Sequence, residues 1–194
     1  MVYCPLTGYK SAIMTGNFPI ADLGSVTVGP LPTPPDGSFI SDVIVDLQIQ
    51  HTWVGDLIAS VSWDDDCNPA TPSIGPVNVL CRQLLVGCAT SGCCGCSGDL
   101  ICANTYEFSD AAVAELGDPS CTTTLAGGCY KPALDSPNPL SVFDGRLKRG
   151  CWYLTVTDNA GGDSGTICAW SIHILNQLTA TEHTSWGSVK ALYQ

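Results

Sequence analysis

A serine, a histidine and several aspartates raise the question of whether this chain has a hydrolytic site. Ser164 stands in Gly162-Asp163-Ser164-Gly165, which looks like a serine-nucleophile motif, and His51 lies far upstream. Such a nucleophile needs a hydrogen-bonded histidine as general base and a carboxylate that orients the histidine. One tetrapeptide does not supply that geometry, and glycines at these positions also suit the turn of a β-hairpin. We therefore interpret Ser164 as a turn residue and predict that the chain is not an enzyme.

Carboxylates are concentrated where predicted turns meet predicted strands. Asp64, Asp65 and Asp66 form a triplet directly after a strand-like segment. Calcium takes about six to eight oxygen ligands, which loops can bring together. The alternative is that these side chains are solvated or accept hydrogen bonds from backbone N–H groups of the turns. Both interpretations stay open at this point.

Cysteine is unusually frequent, with twelve in 194 residues, a density typical of proteins that fold where thiols are oxidised. The count is even, as full pairing requires. The Cys93-Cys94-Gly95-Cys96 cluster could instead bind zinc, but it has no paired CxxC partner and the histidines are scattered. We predict disulfides, each stabilising by about 2–4 kcal/mol. Their connectivity stays open, and the cysteines are Cys4, Cys67, Cys81, Cys88, Cys93, Cys94, Cys96, Cys102, Cys121, Cys129, Cys151 and Cys168.

Several short segments have the residue pattern of β-strands. Residues 40–49 alternate with period two, which predicts a half-buried strand. Two further strands are predicted at 57–63 and 77–80, and a glycine-rich turn joins segments 152–157 and 166–175 into a hairpin. No segment has the 3.6-residue period of a long helix. The sequence therefore predicts an all-β sandwich with about a tenth of its residues or fewer in helix.

Four motifs in order resemble the P domain (P/Homo B domain) that follows the catalytic domain of proprotein convertases and bacterial subtilisin-like proteases. They are ISDVIVDLQIQHTWVGDL from Ile40, CSGDLICANTYEFSDAA from Cys96, NPLSVFDG from Asn138 and GCWYLTVTDNAGGDSGTICAWSI from Gly150. The resemblance implies a jelly-roll-like β-sandwich without catalytic machinery. This chain departs from the pattern because it has no protease domain and because residues 81–102 are richer in cysteine.

Some members of that family bind calcium, and the resemblance implies candidate ligands in the matched loops. These candidates are Asp99, Asp110, Asp158 and Asp163. We expect them to lie at one end of the sandwich and to bind calcium weakly, with a dissociation constant of about 10⁻⁴–10⁻³ M, as in other extracellular modules.

The charge balance limits the partners and the location of the chain. The net charge is −11, so the surface repels phosphate backbones and nucleic acid is not expected as a partner. No apolar run approaches the roughly 18 residues that cross a bilayer. The N-terminus lacks a basic segment followed by an apolar one, so either a signal peptide was removed or release occurs by lysis. With its cysteines, the chain is expected to be extracellular or on a virion surface.

The sequence divides into three parts: an N-terminal arm or linker (1–38), a P-domain-like sandwich (39–175) and a C-terminal arm (176–194). The arms carry few charges, and we predict an interface at Trp186, Leu192 and Tyr193, through which the protein joins an oligomer or larger assembly. The alternative is that both arms fold back and add edge strands. The other tryptophans, Trp53, Trp63, Trp152 and Trp170, are interpreted as packing residues of the sheets.

Three functions compete at this point. The first is a non-catalytic structural or interaction module of an extracellular or particle-surface assembly, for example a virion or capsid decoration protein. The second is a secreted accessory or adhesion P domain detached from a protease. The third is a chymotrypsin-like serine protease, which the sequence contexts of His51 and Ser164 disfavour because neither matches that class.

Overall fold

The structure is a computed structural model that describes residues 4, 9–10, 13–33, 37–81, 97–116, 124–133 and 138–177. Their regular structure is almost entirely β, which confirms the predicted all-β class. The strands are β1 (Tyr9–Lys10), β2 (Met14–Ile20), β3 (Ser25–Thr33), β4 (Phe39–His51), β5 (Leu57–Asp64), β6 (Ile74–Cys81), β7 (Tyr106–Phe108), β8 (Gly128–Tyr130), β9 (Gly150–Asp158) and β10 (Gly165–Gln177). The helical residues of this part are two short 3-10 turns, Val54–Asp56 and Leu140–Phe143.

The strands form two sheets that pack as a sandwich. Sheet A has the order β1-β10-β4-β7-β8, and β2 also pairs with β10. Sheet B has the order β3-β9-β5-β6. The long central pair of sheet A, β10 and β4, is antiparallel from Gly165 opposite His51 to Gln177 opposite Phe39. The predicted hairpin is wrong, because its two strands do not pair: β9 belongs to sheet B and β10 to sheet A.

The connections at one end of the sandwich are hydrogen-bonded to one another. We call this the His51 end and define it by residues 21–24, 52–56, 97–100 and 159–164. The Asp158 N–H donates to Gly24 O over 2.9 Å, and the Asn159 N–H donates to Asp56 O over 2.9 Å. The Val54 N–H donates to Gly98 O over 3.0 Å. The opposite end of the sandwich, where β4 begins, is called the Phe39 end.

The core lies between the two sheets and follows the period-two pattern of the strands. In β4 the side chains of Val43, Val45, Leu47 and Ile49 are fully buried, as the alternation predicts. Sheet B contributes Trp152, whose ring packs edge-on against Phe143 with centroids 4.7 Å apart. Burying a large apolar side chain contributes about 1.5–3 kcal/mol, so this cluster is a main source of stability.

Residues 14–33 of the N-terminal segment are part of the sandwich. β2 pairs with β10 and β3 pairs with β9, and Ile20, Val28 and Leu31 are buried in the common core. Of the two alternatives for this segment, added edge strands rather than a separate arm describe these residues. The proline-rich stretch is accommodated because β3 is an edge strand, where a residue without an N–H group is tolerated.

The described residues contain no helix long and apolar enough to cross a membrane.

Candidate functional site

The Ser164 motif does not form a catalytic arrangement with His51. The His51 ring is buried, with Nε2 3.4 Å from Asp158 Oδ2 and Nδ1 3.0 Å from Trp53 O and 3.2 Å from Trp53 N. Both ring nitrogens thus face structural partners. Ser164 is exposed in the turn between β9 and β10, and no hydrogen bond joins it to His51 within the described chain. The Asp163 carboxylate instead accepts the Thr52 hydroxyl over 2.5 Å.

A second serine, histidine and aspartate meet on the outer face of sheet A. Asp46 Oδ2 accepts Ser171 Oγ over 2.9 Å and lies 2.6 Å from His173 Nε2. In a catalytic triad the histidine stands between the other two side chains, whereas here the carboxylate does. All three residues are buried, so the cluster fastens β4 to β10. Sequence reasoning missed it, although Ser171 and His173 share one face of β10 because they are two residues apart.

The same polar row continues onto β7. Glu107 is the cross-strand neighbour of Asp46, is buried, and accepts the Cys4 N–H at Oε2 over 2.7 Å. Beside the row lies a cavity of about 50 Å³ whose polar lining includes Gln48 and Thr105. A cavity of this volume holds one or two water molecules and is well below the several hundred Å³ of a typical small-molecule site.

Three of the four predicted calcium ligands lie at the His51 end. Asp158 is buried at the end of β9 and points an oxygen at His51. Asp163 is half-buried and holds Thr52. Asp99 is half-buried in the segment that crosses the same end. Asp158 and Asp163 each bond a side chain at or just after the end of β4, which gives both carboxylates a structural role.

The fourth predicted ligand, Asp110, lies at the Phe39 end. Its carboxylate accepts the N–H groups of Leu140 over 3.1 Å and Ser141 over 2.8 Å. Burial and then the charge of Asp110 raise the pKa of Asp42, and burial followed by the charges of Asp42 and Asp110 raises the pKa of Asp144. Along β4, Asp42 lies about 30 Å from His51 at the opposite end of the sandwich. The structure therefore does not bring the four predicted ligands together at one end.

The Asp64–Asp66 triplet is the group whose carboxylate oxygens converge within 4.8 Å in the part of the chain that the structure describes. Asp64 Oδ1 accepts the N–H groups of Asp66 and Asn68, and Oδ2 accepts the N–H and the hydroxyl of Ser73. Hydrogen bonds from the Asp66 carboxyl and then from the Asn68 N–H lower the pKa of Asp64 to about 2. The hydrogen bond with Asp64 and its charge raise the pKa of Asp66. These contacts explain the triplet as the cap of the loop between β5 and β6.

Half of the predicted disulfide cysteines are seen to be paired. Each bridge connects positions far apart in the sequence, with separations of 125, 84 and 66 residues, which restricts the unfolded chain strongly. The pairs are Cys4–Cys129, Cys67–Cys151 and Cys102–Cys168. Cys81 is the last residue of β6. Five predicted disulfide cysteines lie outside the described residues: Cys88, Cys93, Cys94, Cys96 and Cys121.

The tryptophans divide between the core and the surface. Trp63, Trp152 and Trp170 are buried, as predicted for packing residues. Trp53 differs, because 38% of it is exposed at the His51 end. The predicted interface residues Trp186, Leu192 and Tyr193 lie outside the described residues.

Comparison with known proteins gives a structural likeness and no family. No protein-family profile matches this sequence, and no curated protein matches it. The serine protease of Aeromonas sobria in complex with its chaperone aligns at 17% identity and TM-score 0.43, over 91% of this chain and 28% of that one. The same protease alone aligns at 18% identity and TM-score 0.41, over 90% of this chain and 28% of that one. Likeness at this level assigns neither a family nor an activity.

Proposed function

We propose that this chain is a non-catalytic interaction module that binds another protein. The observation that carries the proposal is the use of its reactive side chains in structural hydrogen bonds. His51 is occupied by Trp53 and Asp158, and the Asp46 carboxylate stands between Ser171 and His173. A serine hydrolase of the Ser-His-Asp type would need one such histidine to face both a nucleophile and open space.

In its specific form, the proposal is that the module belongs to an extracellular or particle-surface assembly, for example as a decoration protein of a virion or capsid. The support is its disulfide bridging, which suits a stable module in an oxidising environment. The second candidate is a secreted accessory or adhesion domain. It is favoured by the resemblance of its four sequence motifs to P domains.

The test of the non-catalytic role is labelling of the full chain with a fluorophosphonate probe. A trypsin sample in the same buffer is the positive control, and Ser164→Ala and Ser171→Ala are matched variants. We expect no covalent adduct on the native chain. A stoichiometric adduct that disappears in either variant would show a serine nucleophile and contradict the proposal.

The two assembly hypotheses are separated by native mass spectrometry of the protein purified from its source. A stable complex with a fixed stoichiometry supports the particle-surface role. A monomer supports the secreted accessory domain.

A further inference from the structure

The His51 end is fixed by contacts within the chain. The Asp22 carboxylate accepts the Gly162 N–H over 3.2 Å, which ties the turn between β2 and β3 to the turn between β9 and β10. The Thr52 hydroxyl donates to Asp163 over 2.5 Å and ties the turn 159–164 to the connection after β4. Because the connections are already held together, a partner that binds them has little loop ordering to impose.

Leu23 is a residue that the fold of the chain does not itself explain. Its φ angle is +52°, in the left-handed region, and 68% of the residue is exposed. Glycine or asparagine adopts this conformation with less strain than leucine. Leu23 therefore has both an unfavourable backbone conformation and an apolar side chain that is left in contact with solvent. Such an outlier motivates a hypothesis of function for this residue.

The connection after β4, which contains Trp53, contacts the same turn. A Cβ atom at Gly161 would lie 3.7 Å from Leu23 Cδ1, so Leu23 adjoins the turn 159–164 at Gly161. Asp163, two residues further along, contacts Thr52, which directly precedes Trp53. The turn 159–164 thus contacts Leu23 at Gly161 and, at Asp163, the connection that carries part-exposed Trp53. Buried tryptophan is the side chain that most often dominates the energy of a protein interface.

The charge around these two side chains has one sign. The described connections of the His51 end contain Asp22, Asp56, Asp99 and Asp163 and no lysine or arginine. Asp22 is exposed, and Asp99 and Asp163 are half-buried. An acidic rim around apolar anchors is complementary to a partner that offers apolar side chains flanked by basic ones.

We propose that the His51 end is the docking surface for a basic, apolar protein segment, with Leu23 and Trp53 as its anchors. This inference rests on the proposed function, because it gives the chemistry of the partner of a non-catalytic module. The bound segment covers Leu23 and Trp53 and places lysine or arginine residues against Asp22 and Asp163.

The test uses a random library of twelve-residue peptides displayed on phage and selected against the immobilised full chain. Selected peptides are synthesised, and their binding is measured by fluorescence anisotropy at low and high salt. Leu23→Asn keeps a residue suited to positive φ while removing the apolar side chain. Trp53→Ala removes the second anchor, and Val113→Ala, at a residue 90% exposed outside the His51 end, is the matched control. Thermal melting shows that each variant is folded.

We expect the selected peptides to combine lysine or arginine with leucine or aromatic residues. Affinity should fall about tenfold or more in Leu23→Asn and in Trp53→Ala, should not change in Val113→Ala, and should weaken with salt. Failure to select peptides, or equal binding to the native chain and both anchor variants, would overturn the docking surface and leave the non-catalytic role standing. Peptide cleavage that Ser164→Ala abolishes would overturn both.

Discussion

The loop between β5 and β6 offers a sharp test of whether an acidic cluster is a cap or a metal site. Asp64 accepts four hydrogen bonds, two at each carboxylate oxygen. In Asp64→Asn the amide keeps Oδ1, and with it the bonds from Asp66 and Asn68. Its NH₂ group, however, faces the N–H of Ser73, and two donors cannot bond to each other.

The expected loss of stability follows from that mismatch. A hydrogen bond to a charged group contributes about 1.5–3 kcal/mol, so losing the bond from the Ser73 N–H and weakening those that remain is costly even though Ser73 is exposed. We expect Asp64→Asn to lower the free energy of unfolding by about 2 kcal/mol, which corresponds to a fall in Tm of about 4–8 °C for a chain of this length. Asp65→Asn is the matched control, since exposed Asp65 accepts a single bond from the Ser73 hydroxyl and should change stability by less than about 0.5 kcal/mol.

The dependence of stability on pH below about 4 tests the role of Asp64 independently. Because the pKa of Asp64 is lowered from 3.8 to about 2, its contribution is complete above the unfolded value and is lost as the pH falls from about 4 to 2. The raised pKa of Asp66 acts in the opposite direction, since lowering the pH removes a charge that the folded state disfavours. Carbon-detected NMR titration should find Asp64 near 2 and Asp66 above 3.8, and Asp66 should return toward 3.8 in Asp64→Asn.

The cap hypothesis and the metal hypothesis predict different results. A metal site would make Asp65→Asn about as harmful as Asp64→Asn, and added calcium would raise the Tm of the native chain by mass action. A normal pKa at Asp64, or equal Tm values for Asp64→Asn and the native chain, would refute the cap.

Three further perturbations have defined outcomes. Gly165→Ala should destabilise by about 2 kcal/mol or more, because its Cβ would lie 2.4 Å from a backbone oxygen of β4. Gly161→Ala, in the turn just before β10, has no contact below 3.7 Å and should be near neutral in urea unfolding. Asp42→Asn should raise the Tm at pH 7 but not at pH 3, because the raised pKa means that its charge opposes folding only above that pKa; an equal effect at both values would contradict this. The calcium prediction at Asp99, Asp158 and Asp163 is checked by calorimetric melting with and without chelator, where a fall in Tm that Asp163→Asn abolishes supports the site and an unchanged Tm removes it.

The sequence predicted the central strands because their signal is local. In β4, alternation alone identifies which side chains face sheet B. Ile44 and Asp46, on the other face of β4, are also buried. The residues that cover them come from distant parts of the chain, so the sequence of β4 alone does not predict their burial. The Cys4–Cys129 bridge and the bond from the Cys4 N–H to Glu107 bring Cys4 to that side of sheet A, and both partners of Cys4 are more than a hundred residues away.

The placement of two segments depends on topology. Pro30 and Pro32 would break a central strand but are tolerated in β3, which lies at the edge of its sheet. The motifs predict Asp110 together with the other aspartates, yet motif order does not specify the end of a sandwich at which a loop lies. The end at which a loop lies depends on how many strands precede it in the chain. The three-residue strands β7 and β8 are too short for a sequence pattern to predict them.

A chain of net charge −11 folds here because its acidic side chains have distinct structural roles. Asp46, Asp64, Glu107 and Asp158 are buried, and each is held by a histidine, a hydroxyl or a backbone N–H group. A buried carboxylate with such partners avoids most of the cost of desolvation. Leu23 differs from these residues, because it is exposed and has a positive φ angle although the turn that contains it is hydrogen-bonded. The proposed docking surface accounts for a leucine at this position, since a bound partner would bury the side chain that the fold leaves exposed.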